Sequence, residues 1–235
     1  IAASLIGVLP NAGNLLATYE YGNYTTRGKT ELTMNAALQT NKGNITSGLD
    51  KDYATQWSYG VGETFTFLIP NFKGGGSNAI GRADKDALKN VDPQMREQVA
   101  GSSAYFGNQP FTSGPVYIGA IVMLLAFLGL FIIDHPLKWA LVIGTLLSVM
   151  LAWGKNFMGL TSVFMDYVPG YNKFRAVSMI LVIAELTIPL LAVLALDKFI
   201  KASDKNQSFT LPILKQTVDL KKVLIISVAV IGGFC

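Results

Sequence analysis

Residues 116–133 read VYIGAIVMLLAFLGLFII, a run without a single charge. As a helix rising about 1.5 Å per residue it would reach roughly 27 Å, close to the hydrocarbon thickness of a bilayer. Pro115 opens the run and Asp134-His135-Pro136 closes it. The same texture recurs on either side. Residues 137–153 are apolar except for Lys138, whose amine is expected to reach the headgroups, and residues 176–196 carry one charge, Glu185. Residues 223–235 begin a further run, and residues 1–17 read as the end of an earlier one, broken at Pro10-Asn11. Three such runs close together argue against buried helices of a large soluble core. The expected fold is mainly α: a polytopic transmembrane helix bundle with spans 116–133, 137–153 and 176–196. One large extracytoplasmic segment, 18–115, of mixed α/β or irregular structure is expected to precede them.

Composition supports a membrane class. Apolar residues make up 51% of the chain and charged residues 14%, where soluble domains carry about 25% charge. The net charge of +4 is not clustered with aromatics, so it is read as topology and no nucleic-acid partner is expected. Cys235 is the only cysteine, which excludes an internal disulfide. The chain starts at Ile1 inside one apolar run and stops at Cys235 inside another, so an internal portion of a longer protein is expected.

Basic residues orient the spans. Loop 197–222 holds Lys198, Lys201, Lys205, Lys215, Lys221 and Lys222, which predicts a cytoplasmic loop. Counting back places 154–175 and 18–115 outside and the turn 134–138 inside, as in a multi-pass protein of a bacterial inner membrane with a periplasmic outer face. Residues 200–222 are then the cytoplasmic loop. Within the outer segment, Asp92-Pro93 reads as the start of a short helix to about Val99. Residues 49–59 read as a helix with Leu49, Tyr53 and Trp57 on one face, and 64–69 as a strand or membrane-surface element. The Lys73–Asn78 stretch, with Gly74–Gly76, reads as a flexible loop and lacks the ending of a phosphate-binding P-loop.

No zinc-ligand spacing is present, with one histidine and one cysteine. No cofactor is identified; binding of a divalent metal by oxygen ligands alone stays open. Asn23-Tyr24-Thr25 and Asn44-Ile45-Thr46 match glycosylation acceptors by tripeptide alone. Glu185 lies mid-span, where a carboxylate is costly and either functional or paired. Pro189, four residues later, removes the hydrogen bond to its carbonyl. The strongest cluster is 166–175, DYVPGYNKFR, with Tyr167, Tyr171, Lys173 and Arg175 just before the third span. It reads either as an interfacial belt or as a site for a lipid-linked phosphate, with Arg175 as a bidentate fork and Lys173 as a point charge. Asn108-Gln109 and Thr112-Ser113 lead into the first span and suit either sugar binding or helix capping. Asp50, Asp52 and Glu63 are candidate acid/base carboxylates but read mainly as solvated charges.

The runs IPNFKGGGSN (69–78), FGNQPFTSGPVYIGAIV (106–122), YNKFRAVSMILV (171–182) and LPNAGNLLATYEYGNYTTRGKTELT (9–33) resemble the YfhO-like family of bacterial membrane proteins in its Bacteroidetes form. The resemblance covers nearly the whole chain and the middle of a full-length member. It implies a GT-C-like glycosyltransferase architecture, in which a sugar leaves a polyprenyl-phosphate donor on the outer face. The implied partners are membrane lipid, a lipid-linked sugar donor and an envelope glycan or glycolipid acceptor. The family's acidic catalytic residue is expected in an outer loop before Ile1, so no catalytic residue is assigned and the fragment alone is not expected to be active. The resulting expectation is an inner-membrane glycosyltransferase with Tyr171, Lys173, Arg175, Asn108, Gln109 and Glu185 facing substrate. A carrier of lipid or lipid-linked sugar, or a non-catalytic scaffold for envelope biogenesis, stands as the alternative.

Overall fold

A computed structural model describes residues 6–25, 28, 48–84, 86–201, 208–210 and 217–233. In chain order the α-helices are α1 (Ala12–Gly22), α2 (Lys51–Ala54), α3 (Ile80–Ala83), α4 (Arg96–Gly101), α5 (Ala120–Ile132), α6 (Leu137–Ala152), α7 (Met158–Tyr167), α8 (Val182–Lys201) and α9 (Leu220–Gly232). The strands are β1 (Gly74–Ala79), β2 (Ser103–Tyr105), β3 (Ser208–Thr210) and β4 (Thr217–Asp219). They form two antiparallel two-stranded ribbons, β1 with β2 and β3 with β4. The chain divides into two compact units: Ile1–Gln56 with Met158–Ala176, and Trp57–Phe157 with Val177–Cys235.

The second unit holds the main core. Leu128 and Ile132 of α5, Leu141 and Val149 of α6, and Ala184, Ile188, Leu191 and Ala195 of α8 bury their side chains together. Gly129 lets α5 and α8 approach closely: a Cβ built there would lie 3.2 Å from the Ala195 methyl and 3.3 Å from the Leu191 carbonyl. Thr145 of α6 and Thr187 of α8 meet through their hydroxyls at 2.7 Å, one donating to the other while the acceptor hydroxyl donates to the carbonyl four residues back in its own helix. Burial of these apolar faces is worth about 25 cal/mol per Å² and outweighs any one of the hydrogen bonds.

The expected polytopic transmembrane bundle is overturned here. Among the described residues one helical stretch, Val177–Lys201, is long and apolar enough to cross a membrane; α5 has 13 residues and α6 has 16. The reason for the short α5 is local. Residues 116–119 are apolar but do not join the helix, because Gly119 sits at φ +110° and the N–H groups of Ile118 and Gly119 both donate to the Phe67 carbonyl. Thirteen helical residues rise only about 20 Å, short of a roughly 30 Å hydrocarbon core. The α6 run ends the same way, at Gly154 with φ +48°.

Other local readings change for equally specific reasons. Lys138 is buried, and its amine donates to the Leu130 carbonyl at 2.9 Å. It caps the open C-terminal end of α5 instead of reaching a headgroup. Gly74–Ala79 is a strand, paired to β2, where a flexible loop was expected. Residues 61–67 form a 3-10 helix where a strand or surface element was expected. The helix expected over 49–59 shrinks to α2, capped by the Asp50 carboxylate, which accepts from the Asp52 and Tyr53 N–H groups. The helix expected from Asp92 begins at Arg96, and the Asp92 carboxylate instead accepts from the Gln94 N–H within the preceding turn.

In the first unit a smaller apolar cluster joins Leu49 and Ala54 to Met165 of α7, with Tyr171 against it. A Lys51–Asp166 ion pair of 2.8 Å ties α2 to α7, and the Leu49 N–H donates to the Asn172 carbonyl. Asn44-Ile45-Thr46, Lys205, Lys215 and Cys235 lie outside the described residues.

Candidate functional site

The first unit contains a groove of about 920 Å³ between α1 and the turn at 170–174. The turn exists because Gly170 adopts φ +83°, a left-handed conformation that glycine takes at no steric cost. A single 3-10 turn, Tyr171–Lys173, follows it and brings Lys173 and Phe174 to the groove. From α1 and the residues after it, Asn14, Thr18, Tyr19, Tyr21 and Asn23 line the groove. Lys173 is the one charged residue among those lining it. A largely apolar wall with a few polar groups and one cation is the usual chemistry of a small-molecule site, and the volume falls in the usual range.

The neighbouring members of the 166–175 cluster have other positions. The Arg175 guanidinium donates to Gln56 Oε1 at 2.8 Å and stacks over the Tyr53 ring, 4.3 Å from its centroid. That is a cation–π clamp on α2. Tyr171 packs edge-to-face on Phe164 at 5.6 Å. Its hydroxyl is enclosed without a hydrogen-bond partner among the described residues, and burial pushes its pKa upward.

A second polar centre lies in the other unit, around Glu63. Read from sequence as a solvated charge, Glu63 is 3% exposed. Its Oε1 accepts the N–H groups of Gly60 (3.1 Å) and Asn108 (2.6 Å), and its Oε2 accepts the Tyr105 hydroxyl (2.9 Å) and the Gln109 amide (3.4 Å). Desolvation, more than the adjacent carboxylate, pushes the Tyr105 hydroxyl up to about 12. The side chains of Asn108 and Gln109 are engaged within the protein. Asn108 donates to Asn156 Oδ1 at 3.2 Å, and Gln109 Oε1 accepts from the Ser178 hydroxyl at 3.4 Å. Thr112 bonds the Gly114 backbone and does not cap α5, whose N-cap is Gly119. With four donors on its two oxygens, the Glu63 carboxylate braces the 105–109 turn and has little capacity left for substrate.

Glu185 is none of the residues that line the groove or bond the Glu63 carboxylate. It is exposed on α8, four residues before Pro189 within the same helix. No group of three or more metal-ligating side chains occurs among the described residues. Sequence reasoning missed the contribution of α1 to the groove, because an apolar run with a proline looked like the end of a span. The gathering of Asn14, Thr18, Tyr19, Tyr21 and Asn23 within ten residues was the signal available. Scans of family models, of curated proteins and of solved structures return no match to this chain.

Proposed function

We propose that this chain belongs to a membrane-attached glycosyltransferase that holds the sugar-phosphate head of a polyprenyl-linked donor in the groove between α1 and the 170–174 turn. The observation that carries the reading is Lys173 in a groove otherwise lined by amides, hydroxyls and aromatic rings. An ammonium neutralises a phosphate as a point charge. Tyr19, Tyr21 and Phe174 offer faces to a sugar ring or to the first lipid units, and Asn14, Thr18 and Asn23 offer hydrogen bonds to its hydroxyls. In the chain Phe174 precedes Val177, where the stretch able to cross a bilayer begins, which suits a donor whose lipid tail stays in the membrane. The site of action on this reading is the outer face of a bacterial inner membrane.

The chemistry follows from the donor. An acceptor oxygen attacks the anomeric carbon, the bond from that carbon to the phosphate oxygen breaks, and its electron pair leaves on polyprenyl phosphate. Lys173 then stabilises the charge that grows on the departing phosphate. The acceptor's proton goes to a base that no described residue of the groove supplies.

The test uses the full chain in lipid nanodiscs with a short-chain prenyl-phosphate sugar and, separately, the free sugar. The prenyl-phosphate sugar is expected to bind, and Lys173→Ala is expected to weaken it by about tenfold or more, as loss of a charge-assisted contact worth about 1.5–3 kcal/mol requires. Tyr21→Ala is expected to weaken both probes. Equal affinity in Lys173→Ala and the unaltered chain would remove the groove from donor recognition.

A further inference from the structure

We infer that the exposed face of α8 is a docking seam for one membrane helix of a partner protein, and that the partner carries a lysine or arginine opposite Glu185. Val182, Leu186, Pro189, Val193, Leu196 and Ile200 follow one another at steps of four, three, four, three and four. That is the spacing of the a and d positions of a heptad, the pattern that knits one helix against another. The seam is open in the structure: Val182, Leu186, Val193 and Ile200 are 62%, 68%, 61% and 71% exposed, while α5 and α6 pack against the opposite face through Ala184, Ile188, Leu191 and Ala195.

Glu185 occupies the g position beside this seam, where charged residues select the partner. A second feature adds to its demand. Pro189 has no N–H, so the Glu185 backbone carbonyl lacks its intrahelical donor. Carboxylate and carbonyl together place several acceptors, and no donor, at one point of an apolar stripe. A donor-only group, ammonium or guanidinium, satisfies them. A second copy of this chain does not. In a parallel pairing the g residue faces the e position five residues on, which is Leu190. Apolar contact alone gives little selectivity between helices in lipid, so the polar pair sets the choice of partner. This inference stands on α8 and is independent of the groove.

The experiment places the full chain in phosphatidylcholine nanodiscs with a labelled leucine-based transmembrane peptide carrying one central arginine, and with the same peptide carrying leucine there. Energy transfer is expected to show the arginine peptide binding at least tenfold tighter. Glu185→Gln is expected to erase most of that preference. Glu185→Lys is expected to transfer the preference to a peptide with a central glutamate. Because Glu185 is exposed, both variants should leave the helical circular dichroism unchanged. Equal binding of the arginine and leucine peptides would overturn the inference. So would self-association of the chain that depends on Glu185 and excludes both peptides.

Discussion

Replacing Glu63 by alanine removes the acceptor of four donors that the chain brings together from Gly60, Tyr105, Asn108 and Gln109. Two of these bonds, to the Asn108 N–H at 2.6 Å and to the Tyr105 hydroxyl at 2.9 Å, are short and charge-assisted. Each such bond is worth about 1.5–3 kcal/mol, and a buried donor left unpaired costs about 1–3 kcal/mol. The terms overlap, because water can enter the space left by the side chain, so the loss is about 3–5 kcal/mol, in line with breaking other buried charged networks. Glu63→Gln separates the contributions. Its amide oxygen can keep the Gly60 and Asn108 N–H groups, while its NH2 donates to the Tyr105 oxygen, which turns its own proton away. That variant also removes the cost of burying a charge, so the loss is about 1–2 kcal/mol. Thermal melts of the full chain would read both, since each kcal/mol moves the midpoint by about 2–4 °C for a chain of this size. Hydrogen exchange at the Gly60 and Asn108 amides should accelerate in alanine and much less in glutamine. The reasoning fails if Glu63→Ala stays within about 1 kcal/mol of the unaltered chain, or if glutamine is as damaging as alanine.

Gly129→Leu should cost about 1–3 kcal/mol by forcing α5 from Ala195 and Leu191, whereas Gly129→Ala should stay near neutral because better helix propensity offsets a slight clash; chemical unfolding of both compares them. Gly154→Ala should destabilise through its φ of +48° and a Cβ that would run into Ser58 Oγ and Val177 Cγ2, and Val177→Ala in the double variant should recover only the part of the clash that Val177 contributes. The Tyr105 hydroxyl, raised from 10.0 to about 12 by desolvation, holds its proton more tightly folded than unfolded. Its contribution is therefore complete below pH 10 and is lost as pH rises from there through about 12. Tyr105→Phe should flatten alkaline unfolding in that window, followed by tyrosinate absorbance.

What could be read in the sequence was set by local rules. The apolar run 176–196 and the lysines after it match the helical stretch Val177–Lys201 and its basic end, whereas Asp50, read as a solvated or acid/base carboxylate, caps α2. Glu63 could not be placed this way. Three of its four partners stand 42 to 46 residues away, and only the pairing of β1 with β2 and the turn after it bring Tyr105, Asn108 and Gln109 to the carboxylate. The groove is equally non-local, since α1 and Lys173 are separated by most of the chain. Within the 166–175 cluster the spacing could not distinguish Lys173, which lines the groove, from Arg175, which closes onto Gln56 and Tyr53.

The apolar runs raise the same issue at larger scale. Hydropathy measures how much water a segment avoids, and helix partners relieve that as well as lipid does. Gly129 and Gly144 stay helical within their runs, yet Gly119 turns the chain out of helix four residues into an uncharged stretch. The difference is the Phe67 carbonyl, which takes the N–H groups of Ile118 and Gly119, the second of which a helix starting at Val116 would have used internally. Once those two donors are committed, α5 starts at Ala120 and must bury its remaining face against α8. α8 therefore has one side occupied by helices of its own chain and one side left apolar, with Glu185 beside it. A carboxylate kept at the margin of such a seam lowers affinity for lipid tails and for a like helix, and gains only where a cation meets it. Selection of a basic partner is the one outcome in which that cost is returned.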